Sequence, residues 1–288
     1  MTNLVQFPGL GLSFELNRVA FSIGGFSIYW YGVCIAFGIC LALVFAFRHS
    51  IEFGVDPDSM VDVILIGIVL GIVSARAYYV AMAPFKYENI WEMIAVRDGG
   101  LAIYGGIIGG AITVLVLSRV KKIPPLVMLD NASMGVIIGQ ICGRWGNFMN
   151  REAHGSVTDS FFKMGLADAA GNITYYHPTF LYESVWNLVG FIGLHFYCKK
   201  RKFDGEVFLL YVAWYGLGRA WIEGLRTDSL YLFSTGIRVS QLVAAVSFVA
   251  AAGAIAFVLL KKKPKPENLF ANRIHESPDT QDEKPDEM

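Results

Sequence analysis

Residues 60–82 read MVDVILIGIVLGIVSARAYYVAM, and this stretch decides the fold class. A helix needs about 20 mainly apolar residues to cross the hydrocarbon core of a membrane. Six further apolar segments have similar lengths: 27–47, 101–118, 127–148, 179–198, 206–223 and 237–260. None shows the alternation of barrel strands, and backbone in lipid must satisfy its own hydrogen bonds. The sequence therefore predicts an all-α, polytopic integral membrane protein with seven transmembrane helices.

The composition supports a membrane protein and argues against a soluble domain. Of 288 residues, 55% are hydrophobic and only 17% are charged, which is unusually apolar for a soluble chain of this length. The formal net charge is +0 and by itself says nothing about a nucleic-acid partner. The expected partner is the lipid bilayer, and no nucleic acid is expected. Four cysteines lie in apolar runs and indicate small buried hydrophobes rather than disulfides or a metal site. They are Cys34, Cys40, Cys142 and Cys198.

Basic residues follow alternate apolar segments, which predicts the orientation. The first, third, fifth and seventh segments are each followed by lysine or arginine, most densely at 199–202 and 261–265. Basic loops stay in the cytoplasm, so we expect the N-terminus outside and the C-terminus inside. Residues 1–26 lack a basic region followed by an apolar run, and no cleavable signal peptide is expected.

Three parts follow from this topology. Residues 1–263 are predicted to form a seven-helix membrane catalytic domain, with 149–178 as a small extracytoplasmic cap. Residues 264–288, which are rich in proline and charge, are predicted to be a disordered cytoplasmic tail. No convincing internal repeat is present, which argues against an inverted-repeat transporter.

Ionisable residues inside the predicted spans indicate a functional site, because they are costly in lipid. The topology places the candidates in the outer half of the membrane, with Tyr31 and Tyr104 at a similar level. They are Arg76, Arg144, Glu183, Arg219 and Glu223. Arg219, Glu223 and Arg226 also share one helix face, at i, i+4 and i+7. Arginine forks at the outer leaflet suit the phosphate of an anionic lipid headgroup.

Structural explanations remain open for parts of this set. Arg219 with Glu223, or Arg144 with Glu183, can be a buried ion pair that only fixes helix packing. Small-xxx-small spacing accounts for Gly109 and Gly110 as packing residues. The glycines nearer the outer end of the third segment can instead expose backbone to a headgroup. These are Gly99, Gly100, Gly105 and Gly106.

The segment 142–155, CGRWGNFMNREAHG, carries the most specific pattern. Arg144 and Asn147 are three apart and share a face if the helix persists, while Glu152 can hold an arginine or accept a proton. A capped helix end explains the glycines and asparagines but leaves an arginine within the membrane unexplained.

This segment resembles the signature of bacterial prolipoprotein diacylglyceryl transferases, G-R-x-G-N-F-x-N-x-E-x-x-G. Further similarities occur in order along the chain, and together they cover about residues 5–260. They are YWYG at 29–32, DGGLAIYGG at 98–106, His177-Pro178-Thr179 through Tyr182-Glu183, and Tyr215-Gly216 through Arg219, Glu223 and Arg226.

The resemblance implies a reaction, its substrates and a location. Members transfer the sn-1,2-diacylglyceryl group from phosphatidylglycerol to the lipobox cysteine thiol of a prolipoprotein signal peptide. A thioether forms and glycerol 1-phosphate leaves, as the first step of bacterial lipoprotein maturation. The resemblance further implies the bacterial cytoplasmic (inner) membrane, an active site toward the outer leaflet and no cofactor.

The same motifs suggest roles for individual residues. Arg144 and Arg219 would hold the phosphate, Asn147 and Tyr31 would orient the glycerol, and Gly155 would allow close backbone approach. Glu152 and Glu223 would position the arginines, and Tyr104 completes the catalytic candidates. The other substrate-binding candidates are Gly99, Gly105, His177, Tyr182, Glu183 and Arg226.

Tyr104 departs from the family pattern, because many members have histidine there and that histidine has been proposed as a base. Either Tyr104 takes this role or no side-chain base is needed at the position. A phenol with a pKa of about 10 is a poor base near neutral pH, which favours the second interpretation. The base for the thiol is not identified by the sequence.

Two other functions use similar residues. A transporter or flippase for anionic lipid would use the same arginines, but it should also carry polar groups into the inner half of the membrane, and the candidate residues above do not extend there. A scaffold that binds signal peptides would need no headgroup-binding arginines.

Overall fold

The computed structural model describes residues 3–85, 87–96, 99–227, 231 and 236–275. The chain is mostly helical, at 68%. The helices are α1 (Trp30–His49), α2 (Pro57–Met82), α3 (Ile90–Ile94), α4 (Ile103–Val120), α5 (Pro125–Asn150), α6 (Thr179–Tyr197), α7 (Glu206–Ile222), α8 (Val239–Phe257) and α9 (Phe270–His275). The strands are β1 (Leu4–Phe7), β2 (Leu12–Glu15), β3 (Val19–Ile23), β4 (Phe26–Tyr29), β5 (Met164–Ala167) and β6 (Ile173–Tyr176).

Each of the seven apolar segments contains one long helix, and five of these are long and apolar enough to cross a membrane. Within the described residues those five are Trp30–Phe53, Pro57–Met82, Ile103–Val120, Pro125–Asn150 and Val239–Lys262. α6 carries Glu183 and Asn187, and α7 has only 17 residues. The chain therefore has the character of a polytopic membrane protein, while seven spans and their orientation stay predictions.

Strands correct the all-α expectation. β1 pairs antiparallel with β2 and with β5, and β5 pairs with β6, giving a sheet of order β2-β1-β5-β6. β3 and β4 form a separate hairpin. Strands of four or five residues are too short to show a clear period, and β1 finds β5 only through the tertiary fold. The segment 149–178 thus shares its sheet with the N-terminus, and its extracytoplasmic position stays a prediction.

The four-stranded sheet rests on the end of α5 and the start of α6. Val5, Phe7 and Met164 form a buried cluster with Phe148 and Phe180. The rings of Phe148 and Phe180 stack with centroids 4.4 Å apart. This apolar contact fixes the end of α5, where the glycine-broken segment lies, against the first turn of α6.

The chain divides into two compact units. The first comprises Met1–Val44, Ser133–Lys202 and Glu206–Pro264, and the second comprises Phe45–Ala132, Phe203–Gly205 and Lys265–Met288. All four cysteines are free; Cys198 is buried as expected, but Cys34 and Cys142 are only half-buried and Cys40 is exposed.

Helices α2 and α4 pack closely within the second unit. A Cβ added at Gly105 would lie 2.4 Å from the Ser74 carbonyl oxygen, and one at Gly109 would lie 2.8 Å from that of Leu70. Both glycines therefore permit helix contact. The bare backbone of Gly105 faces α2, and its assignment to substrate binding stays a prediction.

The C-terminal segment corrects a second expectation. Residues 265–275 were predicted to belong to a disordered tail, but Leu269 and Ala271 are buried. The Phe270 amide donates to the Asp204 carboxylate, and a Cβ at Gly54 would lie 2.7 Å from Ala271 Cα. The sequence could not predict this packing, because the surface that buries so short an apolar run forms only when the chain folds. Residues 276–288 lie outside the described residues.

Candidate functional site

Two tryptophans hold α6 against α7. The Trp186 indole N–H donates to the Trp214 carbonyl at 3.0 Å, and the Trp214 indole N–H donates to the Trp186 carbonyl at 2.9 Å. Their rings stack at 4.4 Å. Gly218 leaves room for Trp186, since an added Cβ would lie 2.1 Å from its indole nitrogen. Because Glu183 precedes Trp186 by about one turn, this contact brings Glu183 to the face of α7 that carries Arg219.

Glu183 is the centre of a buried charge cluster. Its Oε2 lies 2.6 Å from Arg144 Nη2, and its Oε1 accepts a 2.8 Å hydrogen bond from Arg219 Nη1. Arg226 Nη1 approaches the same Oε1 at 3.6 Å. One carboxylate therefore meets three guanidinium groups, which come from α5, α7 and the turn after α7.

Glu223 adds a second carboxylate. Arg219 Nη2 lies 2.6 Å from Glu223 Oε2, so Arg219 bridges Glu183 and Glu223 with its two terminal nitrogens. Arg219 and Glu223 are four residues apart in sequence, the spacing that predicted this contact, and they lie one turn apart in the structure. Arg238 at the start of α8 donates to the Glu223 carbonyl oxygen, which fixes the turn that follows α7.

The cluster is suited to bind an anion. The two carboxylate side chains are 4% and 2% exposed, whereas those of Arg144 and Arg219 are 19% and 16% exposed. Among the described contacts, three guanidinium groups face two carboxylates. The acids are therefore buried behind arginines that still reach solvent. Such arginines present preorganised N–H donors to a phosphate.

Arg144 is aimed at Glu183 by its neighbour. The Trp145 indole N–H donates to Ser184 Oγ at 3.1 Å, and Ser184 in turn donates to the Ile141 carbonyl at 3.3 Å. These bonds join α5 to α6 beside the ion pair. Sequence analysis did not select Trp145 or Ser184, although each is adjacent to a chosen residue.

The chain turns back on itself directly after α5. Asn147 Nδ2 and Asn150 Nδ2 donate to Glu152 Oε1 at 3.1 and 3.2 Å. Arg151 and Ala153 flank Glu152, and both have φ of +55°, a conformation that costs energy in residues other than glycine. The turn thus uses strained backbone to hold the Glu152 carboxylate over the last turn of the helix.

Gly155 closes the site from the other side. Its N–H donates to the His177 carbonyl at 2.9 Å, and it forms an isolated bridge with Arg226. A Cβ on Gly155 would lie 2.7 Å from His177 Cβ and 2.9 Å from the Leu225 carbonyl oxygen. Only glycine fits this contact, and the contact connects the segment after α5 to the turn that carries Arg226.

Three further candidates lie near these residues. His177 Nδ1 is 3.3 Å from the Tyr182 hydroxyl, and burial lowers the pKa of the His177 imidazole, so its neutral form is favoured. The Tyr31 ring packs against Gly146, where an added Cβ would lie 2.7 Å from it. His177 and Tyr182 thus contact each other, and Tyr31 lies beside the position before Asn147; that they join the arginine cluster in one site stays a prediction.

Tyr104, Gly99 and Arg76 belong to the second unit. Tyr104 lies in the first turn of α4 and is 37% exposed. Gly99 has φ of +89° and open space where a Cβ would be. Arg76 binds backbone carbonyls of its own unit. That these residues join the arginine cluster in one site stays a prediction.

The comparison with known proteins agrees with the motifs. Residues 18–257 match the family model described as prolipoprotein diacylglyceryl transferase. The chain belongs to this family. It is a transferase of lipoprotein biosynthesis.

Curated relatives support the same assignment over most of the chain. Proteins named phosphatidylglycerol–prolipoprotein diacylglyceryl transferase occur in Enterococcus faecalis and Oceanobacillus iheyensis. The first is 45% identical over 269 residues, covering 90% of this chain and 95% of the relative. The second is 41% identical over 259 residues, covering 86% and 89%. A Staphylococcus aureus relative of the same name is 42% identical over 264 residues, covering 88% and 94%.

Sequence reasoning about this diacylglyceryl transferase missed the residues that aim its charged groups. Trp186, Trp214 and Arg238 position Glu183, Arg219 and Glu223 without belonging to the polar pattern. The sequence signal for Trp186 and Trp214 is their position in the middle of apolar segments, because membrane tryptophans usually lie at the interface.

Proposed function

We propose that this chain transfers the sn-1,2-diacylglyceryl group from phosphatidylglycerol to the lipobox cysteine thiol of prolipoproteins. The products are a thioether-linked lipoprotein precursor and glycerol 1-phosphate. The observation that carries the proposal is the cluster of Arg144, Arg219 and Arg226 on Glu183 and Glu223, within motifs of the diacylglyceryl transferase family. The names of the curated relatives supply the two substrates.

The proposed chemistry is a substitution at carbon. The thiolate sulfur attacks the terminal glycerol carbon of the diacylglyceryl group, the carbon–oxygen bond to phosphate breaks, and the electron pair leaves on the phosphate. Charge therefore develops on a phosphate oxygen in the transition state. Arg144 and Arg219, whose side chains are partly exposed beside buried carboxylates, are suited to stabilise it. Preorganised donors of this kind contribute about 2–4 kcal/mol each.

Neutral groups would orient the glycerol. Asn147 is held through Glu152, and Tyr31 packs on Gly146 one helical position before it. Glu152 would hold Asn147, and Glu223 would hold Arg219, by charge-assisted hydrogen bonds. Gly155 gives the chain after α5 a close approach to the Arg226 turn. Gly99, Tyr104, His177 and Tyr182 are proposed contacts on the strength of the family motifs.

The incoming thiol must lose its proton. An unperturbed cysteine thiol has a pKa of about 8.5, and a nearby guanidinium lowers it. The arginine cluster therefore favours the thiolate without a dedicated base. This agrees with tyrosine at position 104, where many relatives carry histidine.

We also propose the membrane arrangement that this reaction needs. Seven spans would put the N-terminus outside, with residues 1–263 as the catalytic domain in the bacterial cytoplasmic (inner) membrane. The sheet containing part of 149–178 would lie over the outer leaflet. Phosphatidylglycerol and the signal peptide would then reach the arginines from the lipid phase.

The decisive experiment uses the purified chain in nanodiscs that contain phosphatidylglycerol. A lipobox peptide is added, and mass spectrometry looks for the diacylglyceryl adduct on its cysteine. We expect the adduct with this peptide and none with a peptide carrying serine at that position. Binding of the peptide without an adduct would favour a scaffold, and lipid translocation without an adduct would favour a flippase.

Variants tie the activity to the cluster. Arg144→Ala and Arg219→Ala should each lose about 2–4 kcal/mol of transition-state stabilisation. The matched control is Arg119→Ala, because Arg119 lies in the last turn of α4, where among the described contacts it donates to the Leu115 carbonyl one turn away. Full activity in both cluster variants would reject the proposed phosphate site.

A further inference from the structure

A single buried arginine organises the segment that precedes α4. Arg76 on α2 is 9% exposed. Its Nε donates to the Met93 carbonyl at 2.8 Å and its Nη2 to the Glu92 carbonyl at 2.6 Å. Its Nη1 donates to the Gly99 carbonyl at 2.6 Å and to the Gly100 carbonyl at 3.0 Å. One guanidinium thus satisfies four backbone acceptors.

These acceptors belong to two different pieces of chain. Glu92 and Met93 lie in α3, whose last carbonyls have no partner inside so short a helix. Gly99 and Gly100 form a turn in which both residues have positive φ, +89° and +73°. Arg76 therefore ties the end of a helix to a left-handed turn, and no lysine could reach all four oxygens, because its donors sit on one nitrogen.

The fit around the guanidinium is close. A Cβ at Gly100 would lie 2.4 Å from Arg76 Nη1, so only glycine leaves space for the hydrogen bond. The Tyr79 and Tyr87 rings lie 5.7 and 5.9 Å from the guanidinium carbon, within the range of cation–π contacts. Directly beyond the turn, Ala102 N–H donates to the Ala75 carbonyl at 3.1 Å, and α4 begins with Ile103 and Tyr104.

The turn also borders a cavity of about 250 Å³ lined by Arg76, Tyr79, Phe85, Tyr87, Glu92, Gly99 and Gly100. Gly99 has nothing within 4 Å of a built Cβ. The turn therefore combines a backbone fixed on one side, by Arg76, with open space on the other. Burying a guanidinium costs solvation energy, and an apolar side chain on α2 would avoid that cost. What the arginine provides, and an apolar side chain could not, is a fixed conformation of the Gly99–Gly100 backbone.

We propose that Arg76 is a positioning residue of the transferase: it holds the Gly99–Gly100 turn, and with it the start of α4, in the conformation that the transfer reaction needs. This inference rests on the proposed function, because residues 98–106 are assigned to the reaction by the family motif. Arg76 itself binds only backbone and tyrosine rings of its own unit among the contacts described above, and it is not proposed to touch the lipid.

The first test measures local order by hydrogen–deuterium exchange of the intact protein in nanodiscs. Arg76→Gln should raise exchange at 90–96 and 99–104 while leaving α6 and α7 as in the unsubstituted chain. Arg119→Gln, which removes an arginine from the other end of α4, should change neither region. Unchanged exchange at 90–104 in Arg76→Gln would overturn the proposal whatever the activity of the protein.

The second test is a double-mutant cycle on transferase activity. Arg76→Gln and Gly100→Ala should each lower kcat/KM about tenfold or more, because each releases or distorts the same turn. Since both changes act on one feature, the kcat/KM of the double variant should lie within about threefold of that of the less active single variant. If the two losses in kcat/KM multiply in the double variant, Arg76 acts through something other than this turn. If Arg76→Gln does not fold, Arg76→Lys replaces it, keeping the charge but fewer of the backbone bonds.

The two tests separate the inference from the proposed function. Absence of any adduct with the unsubstituted chain would reject the proposed function, and the exchange measurement would still report on the Arg76 contact. Normal kcat/KM in a folded Arg76→Gln variant that shows raised exchange would reject the role in catalysis alone.

Discussion

The two units of this chain bury arginine in different ways. In the first unit, Arg144, Arg219 and Arg226 pair with the carboxylates of Glu183 and Glu223. In the second unit, Arg76 donates to four backbone carbonyls. The first arrangement uses acidic side chains as partners, and the second uses the backbone itself.

The difference indicates different roles. In the first unit the partners of the guanidinium groups are carboxylates, and the side chains of Arg144 and Arg219 stay partly exposed, which suits the proposed binding of a phosphate. Carbonyl oxygens carry only partial charge, and binding them orders a loop rather than preparing an anion site. The same residue type is therefore proposed to bind a ligand in one unit, and it fixes backbone geometry in the other.

Removing the shared carboxylate should have the largest effect. Glu183→Gln leaves three arginines close together with one carboxylate fewer, and breaking a buried ion pair costs about 3–5 kcal/mol. We expect at least a hundredfold loss of adduct formation, measured by mass spectrometry, and a lower thermal midpoint.

Glu206→Gln provides the matched control for that variant. Glu206 is equally buried in the first unit, but its partners are the Tyr197 hydroxyl and the Lys202 backbone N–H. It should lower the thermal midpoint and leave the activity of folded protein near that of the unsubstituted chain. Equal losses of activity in both variants would show that the cluster only supports the fold.

For activity, the two terminal nitrogens of Arg219 should matter more than its positive charge. Arg219→Lys keeps one positive charge but cannot bridge Glu183 and Glu223 as two nitrogens do, and we expect a loss of about 2 kcal/mol, or about thirtyfold in kcat/KM. Steady-state kinetics at varied phosphatidylglycerol content would measure it. An unaltered kcat/KM would mean that charge alone is sufficient, and the contrast with the backbone-bound Arg76 would lose its basis.

The close contact at Gly155 should give a smaller effect. Gly155→Ala forces a methyl group against His177 and the Leu225 carbonyl, and overpacking of this kind costs about 1–3 kcal/mol. Both the thermal midpoint and the activity should fall. Gly193→Ala on α6 is the control, because a Cβ there meets nothing within 4 Å. Similar behaviour of the two variants would contradict the packing argument.

Truncations at the C-terminus should have the smallest effect on activity, and they test how residues 265–275 pack within the second unit. Removing residues 276–288 should change neither stability nor adduct formation. Removing 265–288 takes the buried Leu269 and Ala271 away from the second unit, and burying a leucine contributes about 1.5–3 kcal/mol. We expect faster hydrogen exchange near Gly54 and Asp204 in this variant only. Loss of activity on removing 276–288 would assign that segment an unexpected role.

Much of the fold could be predicted from hydropathy, because a membrane requires long apolar helices. Each segment from 27–47 to 237–260 contains one long helix, with ends within a few residues of those expected. The strands β1 and β5 could not be predicted, since neither four-residue segment has a partner until the chain folds. α9 was missed for a similar reason, because its apolar residues gain a surface only beside Gly54 and Asp204.

The sequence by itself determined the polar residues in the apolar segments, the four-residue spacing of Arg219 and Glu223, and the family motifs around Arg144. These are local properties of composition and helical period. Only the tertiary structure decided that Glu183 joins arginines from separate helices, and that Gly105 packs against α2 while Arg76 binds the Gly99–Gly100 turn. Such contacts depend on which helix faces meet, and that is settled by side-chain packing such as the Trp186–Trp214 pair, between residues distant in the chain.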